Sequence, residues 1–81
     1  MISCAQHDLL ELACMHSYRL QLSLVSGAVI EGVAYNTGYD ERRRECLELR
    51  LKSGDKQVPL EDIVIIKALS DGAAFAVIRF L

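Results

Sequence analysis

The stretch Cys4-Ala5-Gln6-His7-Asp8-Leu9-Leu10-Glu11-Leu12-Ala13-Cys14-Met15-His16 reads as the one helix in an otherwise strand-like chain. On a period of about 3.6 residues, Ala5, Leu9, Leu10 and Ala13 gather on one side, flanked by Leu12 and Cys14. Asp8 and Glu11, three apart, point the other way together with Cys4, which sets their Cβ atoms roughly 5–6 Å from one another. Ser3 can act as N-cap, and Asp8 falls early enough to sit in the positive end of the helix dipole. The segment, about residues 4–15, offers an apolar underside for docking and a small acidic top. That top is either a solvated face or a contact for a basic partner.

Outward from the helix the periodicity changes to two. Tyr18, Leu20, Leu22 and Leu24 alternate with Arg19, Gln21 and Ser23 up to a Ser26-Gly27 turn, the pattern of a half-buried strand. Ala28 to Asn36 is a second strand with Val29, Val33 and Tyr35 on one face, and Gly32 within it marks a bend or bulge. Thr37 to Glu45 is glycine-bearing and densely charged, as expected of an exposed hairpin loop. Cys46 to Lys52 is the clearest strand, with Leu47, Leu49 and Leu51 inward. After Ser53-Gly54-Asp55 a short strand, Lys56 to Leu60, ends at Pro59, which marks it as an edge. Glu61-Asp62 makes a corner before Ile63 to Leu69, an apolar run predicted to be buried on both faces. Ala73 to Leu81 adds one further strand, about 73–80, or an arm that makes an intermolecular contact through Phe75, Val77, Ile78, Phe80 and Leu81.

One helix followed by five closely spaced strands, the second bent at a glycine, is the layout of Sm-like barrels. The fold class predicted is therefore mostly β with one N-terminal α-helix: a small, strongly bent five-stranded antiparallel barrel over about 17–69, plus an additional C-terminal strand. At 81 residues the chain has room for one core, so residues 1–81 are expected to be a single domain. A hydrophobic fraction of 52% with 25% charged residues is that of a folding chain. No run approaches the roughly 20 apolar residues of a membrane span. Met1 to Cys4 carries no basic region of the kind that opens a signal peptide, so a cytoplasmic location is expected. Three cysteines, an odd number, make no disulfide framework and read as reduced thiols.

Catalytic and metal chemistry find little support in the pattern. Cys4, His7, Cys14 and His16 include zinc-ligand types, but ten helical residues separate the cysteines by about 15 Å, beyond what one tetrahedral ion bridges. Cys4 and His7 share a helix face at the spacing of a nucleophilic thiolate–imidazole pair, with no third orienting group. No phosphate-binding glycine loop or dinucleotide fingerprint occurs. Neither an enzyme nor a cofactor is predicted. Arg42-Arg43-Arg44 is the basic cluster, nearly cancelled by Asp40, Glu41 and Glu45. With a net charge of −2 and five aromatic residues, direct nucleic-acid binding is not expected.

The order Leu10-Glu11-Leu12-Ala13-Cys14-Met15-His16, a leucine-alternating strand and a glycine turn resembles the bacterial Rho-binding antiterminators, also called Rof. The likeness takes in Cys4, Asp8, the strand pair Leu20–Asn36, Cys46–Leu51 and Val58-Pro59-Leu60-Glu61-Asp62-Ile63, about residues 2 to 69. It implies a cytoplasmic inhibitor that binds the hexameric termination factor Rho at its primary RNA-binding region, denies it the transcript and so blocks termination. The family's partner-facing acids fall on Asp8 and Glu11; in the reading as a Rho inhibitor, His7 and Gln6 are expected to add polar contacts and the Arg42–Arg43 loop to touch a second surface. Relatives often carry more acids and a longer arm before the helix, where this chain has Ala5 and Gln6. The competing readings are an Sm-like RNA-binding module and a scaffold that self-associates through its last strand. A monomer, or a weak dimer through that strand, is expected.

Overall fold

In the computed structural model, which describes residues 3–80, the elements are α1 (Cys4–Met15), β1 (Arg19–Leu24), β2 (Val29–Tyr39), β3 (Glu45–Leu51), β4 (Gly54–Pro59), a 3-10 turn (Leu60–Asp62), β5 (Ile63–Ala68) and β6 (Val77–Arg79). Leu81, counted with the tail above, lies outside the described residues, as do Met1 and Ile2. The strands form one antiparallel sheet in the order β4-β3-β2-β1-β5-β6. Its first five strands have the barrel order, but β4 and β5 do not pair, so the sheet bends around the core without closing. Its bends fall where the register slips, at Ser23/Leu24 of β1 and between Ala34 and Asn36 of β2.

Both ends of α1 are specified locally. The Ser3 side chain accepts from the Gln6 amide at 3.1 Å while the Gln6 side chain accepts from the Ser3 amide at 3.0 Å, a reciprocal capping box with Gln in the third helical position. At the other end Ser17 adopts φ 52, the Tyr18 amide donates to the Ala13 carbonyl at 2.9 Å and the Ser17 amide to Cys14 at 3.3 Å. This is a Schellman stop built on serine in the place usually held by glycine. Leu10 and Ala13 are fully buried, with Leu9 and Cys14 packed beside them, whereas Ala5 is exposed. Asp8, the fifth helical residue, lies past the first turn, so the dipole acts on it less than its sequence position suggested.

The helix docks over a core of Leu20, Leu22, Ala34, Leu47, Leu49, Val58, Ile63, Ile66 and Ile78. Leu47 and Leu49 are inward as expected, and Pro59 does close an edge strand. The second strand departs from its reading. It runs to Tyr39, shortening the loop, and Ile30, Gly32 and Ala34 face the core while Val29 stays 60% exposed. Val29 and Val33 do share one face, and it is the outer one, so the smaller set points into the core. Gly32 is needed for proximity: a Cβ there would lie 2.9 Å from the Arg50 carbonyl oxygen. The bulge itself comes later, at Tyr35. β5 is not buried on both faces, since Lys67 is exposed opposite Gln21. The tail folds back on its own chain. Ile78 is 4% exposed, Phe75 and Phe80 pack on the core, and the Tyr18 hydroxyl accepts from the Ala74 amide at 2.9 Å.

Candidate functional site

The acidic top of α1 takes shape through contacts that no local pattern announces. His7, Asp8 and Glu11 bring ligand-type atoms within 4.8 Å of one another, with Asp8 and Glu11 exposed. His7 Nδ1 lies 3.0 Å from Glu11 Oε1, one helical turn on. Its Nε2 meets the Glu45 carboxylate at the start of β3. Only the imidazolium can donate at both nitrogens, so the two carboxylates favour the charged ring. The Glu45 hydrogen bond foremost, then the charges of Glu45 and Glu11, hold the His7 pKa above its ordinary 6.5. His7 thereby clasps α1 to the β2–β3 hairpin.

The hairpin loop that follows β2 is itself ordered by one side chain. Asp40 Oδ1 accepts the Arg42 and Arg44 amides, each at 2.9 Å, and Oδ2 accepts Arg44 Nε at 2.7 Å. The Arg44 amide and guanidinium, with the Arg42 amide, keep the Asp40 carboxyl below its usual range. Arg44 also reaches Glu61 at 3.0 Å. Arg42 and Arg43 are exposed and, among the described residues, form no ion pair. The loop is therefore fixed beside the helix face, joined to it through Glu45 and His7.

Of the residues singled out in the sequence, Asp8, Glu11 and His7 come together, and Arg42 and Arg43 sit on the adjoining loop. Gln6 is committed elsewhere: besides the capping box, its Nε2 donates to the Arg79 carbonyl at 2.8 Å. That carbonyl points away from β5, so Gln6 covers the free edge of β6. Glu45 is the residue sequence reasoning missed as part of this face. Its 38-residue separation from His7 leaves no local signal, and only the Tyr39–Glu45 pairing at the hairpin end aims it at the helix.

The thiols are equally informative. Cys4 is exposed, Cys46 is buried with its Sγ donating to the Arg44 carbonyl at 3.3 Å, and burial, with the Glu11 and Glu48 charges, pushes Cys14 up to about 11. Cys14 therefore has the protonated character of a packing residue. In the His7–Asp8–Glu11 set both His7 nitrogens already face carboxylates, those of Glu11 and Glu45.

The described residues thus form a doubly capped helix that presents charged side chains above a small bent sheet. Comparison with known proteins carries this further. Residues 1–80 match the family model described as modulator of Rho-dependent transcription termination (ROF), so the chain belongs to that family of regulators. Its fold is also that of a solved structure, YaeO bound to magnesium from Vibrio cholerae O395, at a TM-score of 0.86 and 33% sequence identity, over 94% of this chain and 99% of the other. A comparison with curated proteins gave no match. The family match runs through the tail, beyond the residue-69 limit of the likeness read from sequence.

Proposed function

We propose that residues 1–81 act as one Rho-binding domain that inhibits termination by laying the acidic face of α1 on the primary RNA-binding region of the Rho hexamer. The observation that carries this reading is the cluster of exposed carboxylates on one capped helix face of a family member. Carboxylates so placed compete with phosphate for the arginines and lysines of an RNA-binding surface, through charge-assisted hydrogen bonds. A platform already fixed by its caps and by His7 spends little ordering entropy on docking. Arg42 and Arg43 then meet a second surface of the partner. The protein works as a monomer, in the cytoplasm where Rho is.

The two anchors are not equivalent. Glu11 shares its charge with His7, whereas Asp8 forms no ion pair among the described residues. Asp8 is accordingly the stronger anchor. The test is titration into purified Rho with and without competing RNA, using the wild type, Asp8→Lys, Glu11→Lys and the double variant. Binding that competes with RNA, weakens with salt, falls more for Asp8→Lys than for Glu11→Lys and vanishes in a folded double variant is expected. Unchanged affinity in the double variant would refute the helix as the site.

A further inference from the structure

The outer face of the sheet mixes both signs of charge: Asp55 of β4 pairs opposite Arg50 and accepts from the Tyr35 hydroxyl at 3.4 Å, while three cations stand together in one row. Strand register puts Arg19 of β1, Val33 of β2 and Arg50 of β3 side by side on that face. Lys52 follows two residues beyond Arg50, about 7 Å along the strand. These three cations line a shallow groove of about 590 Å³ whose one acid is Glu31. All three are exposed, and none is ion-paired among the described residues. Arg50 is held in place, its guanidinium 4.7 Å from the centre of the Tyr35 ring.

We propose that this groove is a second recognition surface, one that takes the phosphate backbone of single-stranded RNA. Three cations without an ion pair among the described residues, spread over two strand spacings and one residue pair along β3, complement a phosphodiester chain. A guanidinium stacked on an aromatic ring is a plane against which an unpaired base can lie, which a duplex cannot offer. The groove uses none of the residues of the acidic helix face. An inhibitor so divided holds a basic protein surface with one side and the displaced transcript with the other. The first half of that statement rests on the proposed function; the RNA contact stands without it and is tested without Rho.

The experiment is fluorescence anisotropy of a short labelled oligouridylate titrated with the full chain, beside a duplex DNA of equal length. Three phosphate contacts to a single strand predict a log–log salt slope of about −2, a loss of roughly twentyfold between about 50 and 200 mM salt. The variant R19S/R50S/K52S should lose binding, E31Q should strengthen it, and Asp8→Lys should not weaken it. No binding of the oligouridylate at low salt, equal binding of the duplex, or failure of both R19S/R50S/K52S and E31Q to shift affinity would overturn the proposal. E31Q leaves every packing contact of the groove intact, so it reads the charge even if the triple variant unfolds.

Discussion

The clasp between His7, Glu45 and Glu11 predicts a stability that depends on pH in a definite direction. His7 is held above its ordinary 6.5 when folded and reverts to that value when the chain unfolds. A raised histidine pKa adds stability that is complete below the unfolded value and is lost as pH rises through the folded one. The His7 side chain is 31% exposed and that of Glu45 28%, so solvent screens the pair in part, and Glu11, at 56%, adds little. One screened, charge-assisted bond to a half-buried carboxylate amounts to about 1 kcal/mol, or about 4–8 °C in thermal midpoint for a domain of this size. The wild type should therefore lose about that much more stability than His7→Gln as pH rises from below the ordinary 6.5 through the raised folded value, read by chemical denaturation of both. His16, the second histidine, is present in both proteins and cancels. An NMR titration of the His7 ring should give a midpoint above 6.5, lowered further by Glu45→Gln than by Glu11→Gln. Identical pH profiles for wild type and His7→Gln, or a midpoint at or below 6.5, would refute the clasp.

Other consequences are simpler to read. Ser17→Gly should raise stability by about 0.5–1 kcal/mol in a melting experiment, because φ 52 suits glycine and strains serine. Gly32→Ala should cost about 1–3 kcal/mol, since the added Cβ would meet the Arg50 backbone oxygen at 2.9 Å, an atom that cannot swing aside. Under native conditions at neutral pH, iodoacetamide should modify Cys4 quickly, Cys14 slowly and Cys46 only on unfolding, as resolved by peptide mass spectrometry. Leu47→Ala, which empties a fully buried site, should cost about 2–5 kcal/mol by chemical denaturation.

The parts of the fold that could be read from sequence are those set by short-range periodicity. Leu10 and Ala13 at helical spacing declare their buried side because Asp8 and Glu11 take another face of the helix, and Leu47 and Leu49 at strand spacing because Glu48 and Arg50 alternate with them. Val29, Val33 and Tyr35 do not declare which of the two faces of β2 is buried. They are larger than the Ile30-Gly32-Ala34 set that faces the core, and what places Gly32 inward is the nearness of the Arg50 backbone, not any preference of its own. Closure posed a similar limit. Strand order follows from turns and a bent second strand, but whether β4 meets β5 depends on curvature accumulated at two register slips, which sequence does not mark.

The candidate site divides along the same line, and the division says something about how it works. Asp8 and Glu11 were visible because a helix converts a spacing of three into adjacency. Glu45 was hidden because only the hairpin register delivers it to His7. In the sequence Glu45 looked like a shield for the arginines beside it, yet Asp40 and Glu61 take Arg44, which leaves Glu45 free to hold the histidine. The proposed recognition face is thus a local feature whose charge is tuned at long range. Deprotonating one imidazole makes the face more negative by one charge and at the same time loosens its tie to the sheet. Whether binding then gains from the charge or loses from the slack is decided by comparing the pH dependence of affinity in the wild type and His7→Gln. Steering by net charge predicts that wild-type affinity rises with pH, whereas preorganisation predicts that it falls. The doubly capped helix retains its shape without the clasp, so the charge term should dominate and the affinity should rise.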